Sequence, residues 1–263
     1  RISQFAAKTD DEYMEHFMAL KEKGMKKLIL DLRDNPGGYL NIAIKIADEF
    51  LPDKKLIVYT KGKSKPEEKY FATKRGFFEE GDLAVLIDEG SASASEIVSG
   101  ALQDWDRATI IGRRSFGKGL VQEQSSLPDG SAIRLTIARY YTPTGRSIQK
   151  PYSEGYENYS RDLAQRLAHG ELENADSIHF ADSLKYFTPE GKTVYGGGGI
   201  MPDVFVPLDT SYFSEFFTDV IGKGILTQFA YDYVDKNRKT LTKFESFEEY
   251  NTAFSVTDEL YKD

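Results

Sequence analysis

The chain has 263 residues, 40% of them hydrophobic and 13% aromatic, enough to bury a sizeable core in one embellished domain or in two. Its 42 acidic against 34 basic side chains give a net charge of -8 with no concentrated basic stripe, which argues against nucleic acid as a partner. It contains no cysteine, so disulfides, thiolate nucleophiles and cysteine metal sites are excluded, and no apolar window approaches the roughly 18 residues of a membrane span.

The opening "RISQF" reads as the middle of a strand without a signal-peptide core, so upstream sequence is expected to precede it. Residues 10 to 23 put Tyr13, Phe17 and Leu20 on one helical face, with Gly24 as the stop. The chain then alternates: strand "KKLILDL", helix "LNIAIKIADEFL", strand "KLIVYT", strand "LAVLID", helix "ASEIVSGALQDW" and strand "ATIIG". Uninterrupted Ile, Val and Leu runs separated by helices predict an α/β fold whose parallel sheet is covered on both faces. Past residue 120, "SAIRLTIARYYT" reads as a long strand after the turn "PDG". Residues 151 to 194 are polar and irregular, with some helix around Leu163 to Leu167, and "VYGGGGIMPDVFV" returns to a sheet-like pattern. From about Ser211 the chain is amphipathic and helical, with a last helix near Phe247 to Phe254.

Chemistry has few places to reside. His16 falls mid-helix and His169 and His179 fall in the polar segment, a poor supply for a Ser-His-Asp triad. Asp31 and Asp34 flank a strand end, and no acidic or histidine cluster has metal-ligand spacing, so neither a metal nor an organic cofactor is expected. The stretch "EGSASASEIVSG" is more informative. Ser93 and Glu96 match the capping box S-x-x-E ahead of an apolar helix face, and capping alone accounts for both. A serine at a helix N-terminus also lies beside unpaired backbone N–H groups, and the Ala94 amide is placed to stabilise an oxyanion at its hydroxyl. Lys118, between Gly117 and Gly119 in "SFGKG", is either a solvated loop lysine or the base such a serine needs. Lysine, with a reference pKa of about 10.4, fills that second role only where its surroundings lower it. The pair Gly37-Gly38 in "RDNPGGYL" ends a strand and can offer N–H groups to an anion, but the lysine and Ser/Thr of a P-loop are missing.

Taken in order, "LILDLRDNPGGYL", "LAVLIDEGSASASEIVSGAL", "IIGRRSFGKGLVQ" and "YYTPTGRSIQ" closely resemble the C-terminal processing peptidases, or tail-specific proteases, over residues 1 to 150 and again at "GGGGIMPDV". The resemblance implies a Clp-protease/crotonase-like core, a mostly parallel sheet flanked by helices, that hydrolyses peptide bonds in protein substrates through a Ser-Lys dyad. Ser93 falls on the nucleophile, Lys118 on the general base, Gln122 on the polar residue that orients it, and Glu96 on a supporting acid. Oxyanion donors are implied at Ala94 and in the Gly37-Gly38 pair, with the choice of glycine open. The implied organisation is a catalytic core at 1–150 and 195–210, an insertion at 151–194 and a helical C-terminal extension at 211–263. Protein or peptide substrates near their C-termini, location in the periplasm or cell envelope, and a homodimer through the C-terminal helices complete the expectation. The PDZ domain that precedes the core in most members is not in this sequence, and residues 151–194 interrupt a junction that shorter members keep nearly continuous. Two competitors are a non-catalytic ligand- or peptide-binding module on the same fold, expected to lack the serine or lysine, and a crotonase-type enzyme acting on acyl-CoA, which needs no Ser-Lys pair.

Overall fold

The structure, a computed structural model, describes residues 1–73, 76–152, 155–211, 214–257 and 260. Two compact units divide it, Arg1–Leu208 and Asp209–Asp263. In the first, helix α1 (Thr9–Glu22) precedes strand β1 (Lys27–Asp31), α2 (Leu40–Asp48), β2 (Leu56–Lys61), β3 (Glu68–Phe71), β4 (Asp82–Ile87), α3 (Ala94–Asp104) and β5 (Thr109–Gly112). A long hairpin, β6 (Leu120–Ser126) and β7 (Ala132–Tyr141), leads to α4 (Gly155–Ala168), the short pair β8 (Lys185–Phe187) and β9 (Thr193–Tyr195), and β10 (Val204–Phe205). The second unit holds α5 (Glu215–Gly222), α6 (Ile225–Leu241) and α7 (Phe247–Ala253).

Two four-stranded sheets organise the first unit. One is wholly parallel, in the order β1-β4-β5-β10; the other is antiparallel, in the order β3-β2-β7-β6. The strands of the parallel sheet are the apolar runs expected from sequence, and their inward residues Leu30, Val85, Ile87 and Ile110 are buried. Coverage is uneven, because on the opposite face Ile29 is 66% exposed. Helices α2 and α3 bury Ile42, Ile46, Ile97, Val98 and Leu102 in the core, and the Trp105 indole donates to the Leu56 carbonyl of the antiparallel sheet at 2.7 Å, tying the helical layer to it. Tyr13 and Phe17 of α1 stack at 5.5 Å and reach Phe50 and Phe78, whereas Leu20, expected on the same face, is 46% exposed.

The segment 151–194 is more ordered than its composition suggests, since α4 is more than twice as long as the helix expected there. Near its base the buried ion pair Arg146–Asp104, at 2.7 Å, fastens the end of the hairpin sheet to the end of α3, and Asp104 also accepts from Thr144. Strands β3 and β6 lack the apolar runs that mark the others. No helix among the described residues is long and apolar enough to cross a membrane.

Candidate active site

The site starts where β4 runs out. Asp88, just after that strand, accepts the N–H groups of Asp34, Gly90 and Ser91 on one carboxylate oxygen, which ties the turn to the loop after β1. The Ser91 hydroxyl donates to the Leu32 carbonyl at 2.8 Å and the Ser95 hydroxyl to the Asn35 carbonyl at 2.9 Å, and both serines are fully buried. The outer two of the three alternating serines therefore pin the turn. The middle one, Ser93, is held at φ 56° and ψ -110°, a conformation that costs a non-glycine residue about 1–3 kcal/mol and persists only when its surroundings impose it.

Glu96 is what imposes it. Fully buried in the first turn of α3, its Oε2 accepts the Ser93 N–H at 2.8 Å, as the capping pattern predicts. The same oxygen accepts the Lys118 N–H at 2.8 Å, and Oε1 accepts the Gly117 N–H at 2.6 Å and the Ser115 hydroxyl at 2.5 Å. One carboxylate thus joins the turn carrying Ser93 to the loop carrying Lys118. Burial pushes the Glu96 carboxyl pKa up, and its four donors pull against that rise.

The loop from Arg114 to Gly119 is secured on its other sides as well. Phe116 N–H donates to the Ser91 carbonyl, Gly119 N–H to Gln149 Oε1, and the carbonyls of Gly117 and Gly119 accept from Lys150 and Tyr140. Gly117, at φ 88°, packs so closely on the Lys150 side chain and Gly199 that a Cβ would lie 3.1 Å from each. The Lys118 side chain is half-buried, and among the described residues its ammonium has neither a carboxylate nor a hydrogen-bond partner.

Ser93, Lys118, Gly37, Gly38, Gln122 and Tyr140 line one cleft of about 890 Å³ together with residues Gln4 to Ala7. The glycines approach where no side chain fits. A Cβ on Gly37 would stand 2.7 Å from the Ser93 Cβ and 2.8 Å from the Ala94 nitrogen, and one on Gly38 would stand 2.1 Å from the Phe5 carbonyl oxygen. Their N–H groups differ. Gly37 donates to Asn35 Oδ1 at 2.9 Å, whereas Gly38 pairs with Phe5 through a bridge that uses its neighbours' polar groups and leaves its own N–H without an acceptor among the described residues. Ala94, as first residue of α3, likewise has no acceptor for its N–H among the described residues. A hydroxyl, a lysine and the unbonded Gly38 amide around one cleft, with the unbonded Ala94 amide next to Ser93, are the parts of nucleophilic acyl transfer.

Gln122, on β6, is exposed, and its side-chain amide has no hydrogen-bond partner among the described residues, so it shares the cleft with Lys118 without bonding to it. Histidine is absent from the cleft lining, with His16, His169 and His179 all exposed elsewhere. No three His, Asp or Glu side chains among the described residues could hold a metal ion. Sequence reasoning missed Tyr140. It is buried and lines the cleft together with Ser93, and burial pushes its phenol pKa up while the nearby Ser93 side chain opposes that rise. Asn35 was missed too, although "DNPGG" places it two residues before Gly37, where an Asx side chain reaches back to the backbone.

A family model described as peptidase family S41 matches residues 1–156, and one described only as a family of unknown function matches residues 216–263. A carboxy-terminal-processing protease of Bartonella bacilliformis is 40% identical over 205 residues, covering 72% of this chain and 47% of that relative. A carboxyl-terminal-processing protease of Synechocystis is 44% identical over 150 residues, covering 57% of this chain and 35% of the relative. Among solved structures, a photosystem II D1 C-terminal processing protease superposes with a TM-score of 0.56 at 28% identity, covering 79% of this chain and 41% of that one. The chain spans less than half the length of each of these relatives.

Proposed function

Because the chain belongs to peptidase family S41, we propose that it is the catalytic part of a serine endopeptidase that hydrolyses peptide bonds of protein substrates, near their C-termini or in unfolded chains. The observation that carries the reading is the convergence on one cleft of Ser93, Lys118 and Gly38, with the unbonded N–H of Ala94 following Ser93 beside Gly37. In this mechanism the Lys118 amine takes the Ser93 proton while the hydroxyl oxygen attacks the scissile carbonyl. The tetrahedral oxyanion is held by the amides of Ala94 and Gly38. Gly37 serves by its absence of a side chain, its own N–H being committed to Asn35. Collapse of the intermediate gives an acyl-enzyme on Ser93 and an amine that receives the proton from Lys118. Water, deprotonated by the same lysine, then releases the acyl group. Glu96 acts through the backbone, and Gln122, which shares the cleft with Lys118, is the polar residue assigned to orient it. The strained Ser93 backbone presents the hydroxyl at the start of α3, where the helix dipole favours developing negative charge.

The same reading divides the chain into a catalytic core at 1–150 and 195–210, an insertion at 151–194 and an extension at 211–263. The end of the S41 match at residue 156 and the boundary between compact units at Leu208 and Asp209 support it. Exposed apolar side chains in the C-terminal unit, Phe216 at 78%, Tyr231 at 68% and Phe247 at 72%, favour a homodimer through those helices, which sedimentation of the chain with and without residues 211–263 tests. Export to the periplasm or cell envelope follows from the family resemblance and is tested by fractionating cells that express the full-length protein.

The decisive experiment is cleavage of an unfolded protein with an apolar C-terminus, read by mass spectrometry, for this chain, Ser93→Ala and Lys118→Ala. Loss of cleavage in both variants with intact circular dichroism is the expected result. Equal activity in all three sinks the dyad, and peptide binding without cleavage by a folded parent chain, with or without upstream sequence, favours a binding module.

A further inference from the structure

The loop that carries Lys118 has one support that lies outside the four motifs. Helix α4, inside the 151–194 insertion, is polar and mostly exposed, and the residue it buries is an arginine. Arg166 is 4% exposed, with Nη2 donating to the Arg114 carbonyl at 2.6 Å and Nη1 to the Ser115 carbonyl at 3.1 Å. Its Nε lies 3.6 Å from Glu171, whose carboxylate is held at 2.6 Å by Arg114. Burial, with Arg114 adding to it, pushes the Arg166 pKa down to about 10, the mark of a cation taken out of water. A desolvated guanidinium persists only where its N–H groups are used, and here two of them are spent on main-chain oxygens just ahead of Lys118.

A second contact joins the same two elements. The Lys150 ammonium lies 4.0 Å from the Phe116 ring centroid and 4.3 Å from that of Tyr159 on α4, and pairs with Asp162 on α4 at 3.1 Å. Phe116 and Tyr159 meet edge to face at 6.3 Å. The inner side of the 114–119 loop is thus fixed by Glu96, and its outer side by α4. Glu96 reaches only N–H groups and a hydroxyl, so the carbonyls of residues 114 and 115 depend on the insertion.

We infer that the 151–194 insertion is a brace for the catalytic loop and that Arg166 is a positioning residue, fixing the backbone of Arg114 and Ser115 so that Lys118 meets the Ser93 hydroxyl. The inference rests on the proposed Ser-Lys reading and goes beyond it by assigning a task to a segment and a residue outside the four motifs. Without the two bonds the loop keeps its Glu96 tie and its fold but gains freedom in its outer half, and displacement of a reacting group by about 1 Å costs roughly 100-fold in rate.

The test compares the parent chain with Arg166→Ala, Arg166→Met, Arg166→Lys and Lys118→Ala in steady-state cleavage of an unfolded protein substrate. Peptide affinity is measured in parallel in a Ser93→Ala background with and without Arg166→Ala. The expected result is a 10- to 100-fold fall in kcat for the Ala and Met variants, KM and peptide Kd within about threefold of the parent, and partial recovery in Arg166→Lys, whose ammonium can still reach one carbonyl. A parental kcat in Arg166→Ala or Arg166→Met, while Lys118→Ala is inactive, overturns the brace and leaves the dyad standing. So does a loss confined to KM or to peptide affinity. Full activity in Lys118→Ala overturns the dyad and the brace together. Should the Ala and Met variants fail to fold, Arg166→Lys decides alone: a reduced kcat at parental KM supports the brace, and an unchanged kcat refutes it.

Discussion

Glutamine at position 96 keeps the side-chain volume and exchanges one acceptor oxygen for an NH2 group, which tests how the two halves of the site are joined. Oε2 faces two backbone N–H groups, those of Ser93 and Lys118, so the NH2 cannot occupy that side without meeting two donors. It must turn toward the Gly117 N–H and the Ser115 hydroxyl. Ser115 can adapt, because its oxygen, which already accepts from Ile200 at 2.6 Å, has a second lone pair for the new NH2. Gly117 cannot. One buried backbone donor is left facing another donor, a cost of about 1–3 kcal/mol, and the remaining bonds lose the strength that a charged acceptor gave them. Glu96→Gln is therefore expected to lose about 2–4 kcal/mol, read from urea midpoints at constant m. Its kcat should fall at least about tenfold with circular dichroism intact, as the Lys118 loop loses registry with the Ser93 turn. Glu96→Ala, which strands all four donors and opens a cavity, should exceed roughly 4 kcal/mol. A Gln variant within about 0.5 kcal/mol of the parent, the ordinary scatter of a neutral surface change, and with unchanged kcat refutes the carboxylate tie.

Gly37→Ala should abolish phosphonylation of Ser93 by a fluorophosphonate, because the new Cβ meets the Ser93 Cβ and the Ala94 amide within 2.8 Å at φ 96°; undiminished labelling would refute the close approach. Tyr140→Phe removes a buried phenol that lines the cleft with Ser93, and about a tenfold fall in kcat is expected with KM unchanged, against no change if the phenol only fills space. Alkaline titration at 295 nm should show Tyr13 and Tyr140 silent until the protein unfolds. Burial raises both phenols in the folded state, so the unfolded chain loses these protons first, at about pH 10, and stability falls as pH rises from there. Early titration of all the phenols in folded protein would contradict their burial.

The alternation of apolar strands and helices through residue 112 was legible because parallel strands must be apolar to sit in a sheet with a buried face, and β1, β4 and β5 lie within one residue of the runs read for them. Strands β3 and β6 were not. The sequence of β6, "LVQEQSS", is exposed after its first two residues and exists through its pairing with β7, an interaction that no local pattern encodes. Helix α4 was half-seen for a related reason. Its Leu163 and Leu167 are 41% and 49% exposed and its buried residue is Arg166, so it docks through charge and hydrogen bonds and leaves no apolar stripe to read.

In the site, Ser93 and Glu96 were visible as a capping box because that pattern closes within four residues. The other bonds of Glu96 reach 19 to 22 residues onward, and the sequence offers nothing that pairs an acid with those particular N–H groups. The proposal of Gly38 over Gly37 as oxyanion donor rests on a single bond from Gly37 to Asn35, since the two are indistinguishable in sequence until one amide is taken. Tyr140 is the sharpest case. In "ARYYT" two tyrosines adjoin, and a strand must send neighbouring side chains to opposite faces. The pattern fixes that one goes inward without saying which. Tyr141 stacks on Tyr59 at 4.8 Å while Tyr140 is buried in the cleft lining with Ser93, and only the register of β7 against β2 decides between them, because a one-residue slip would exchange their faces.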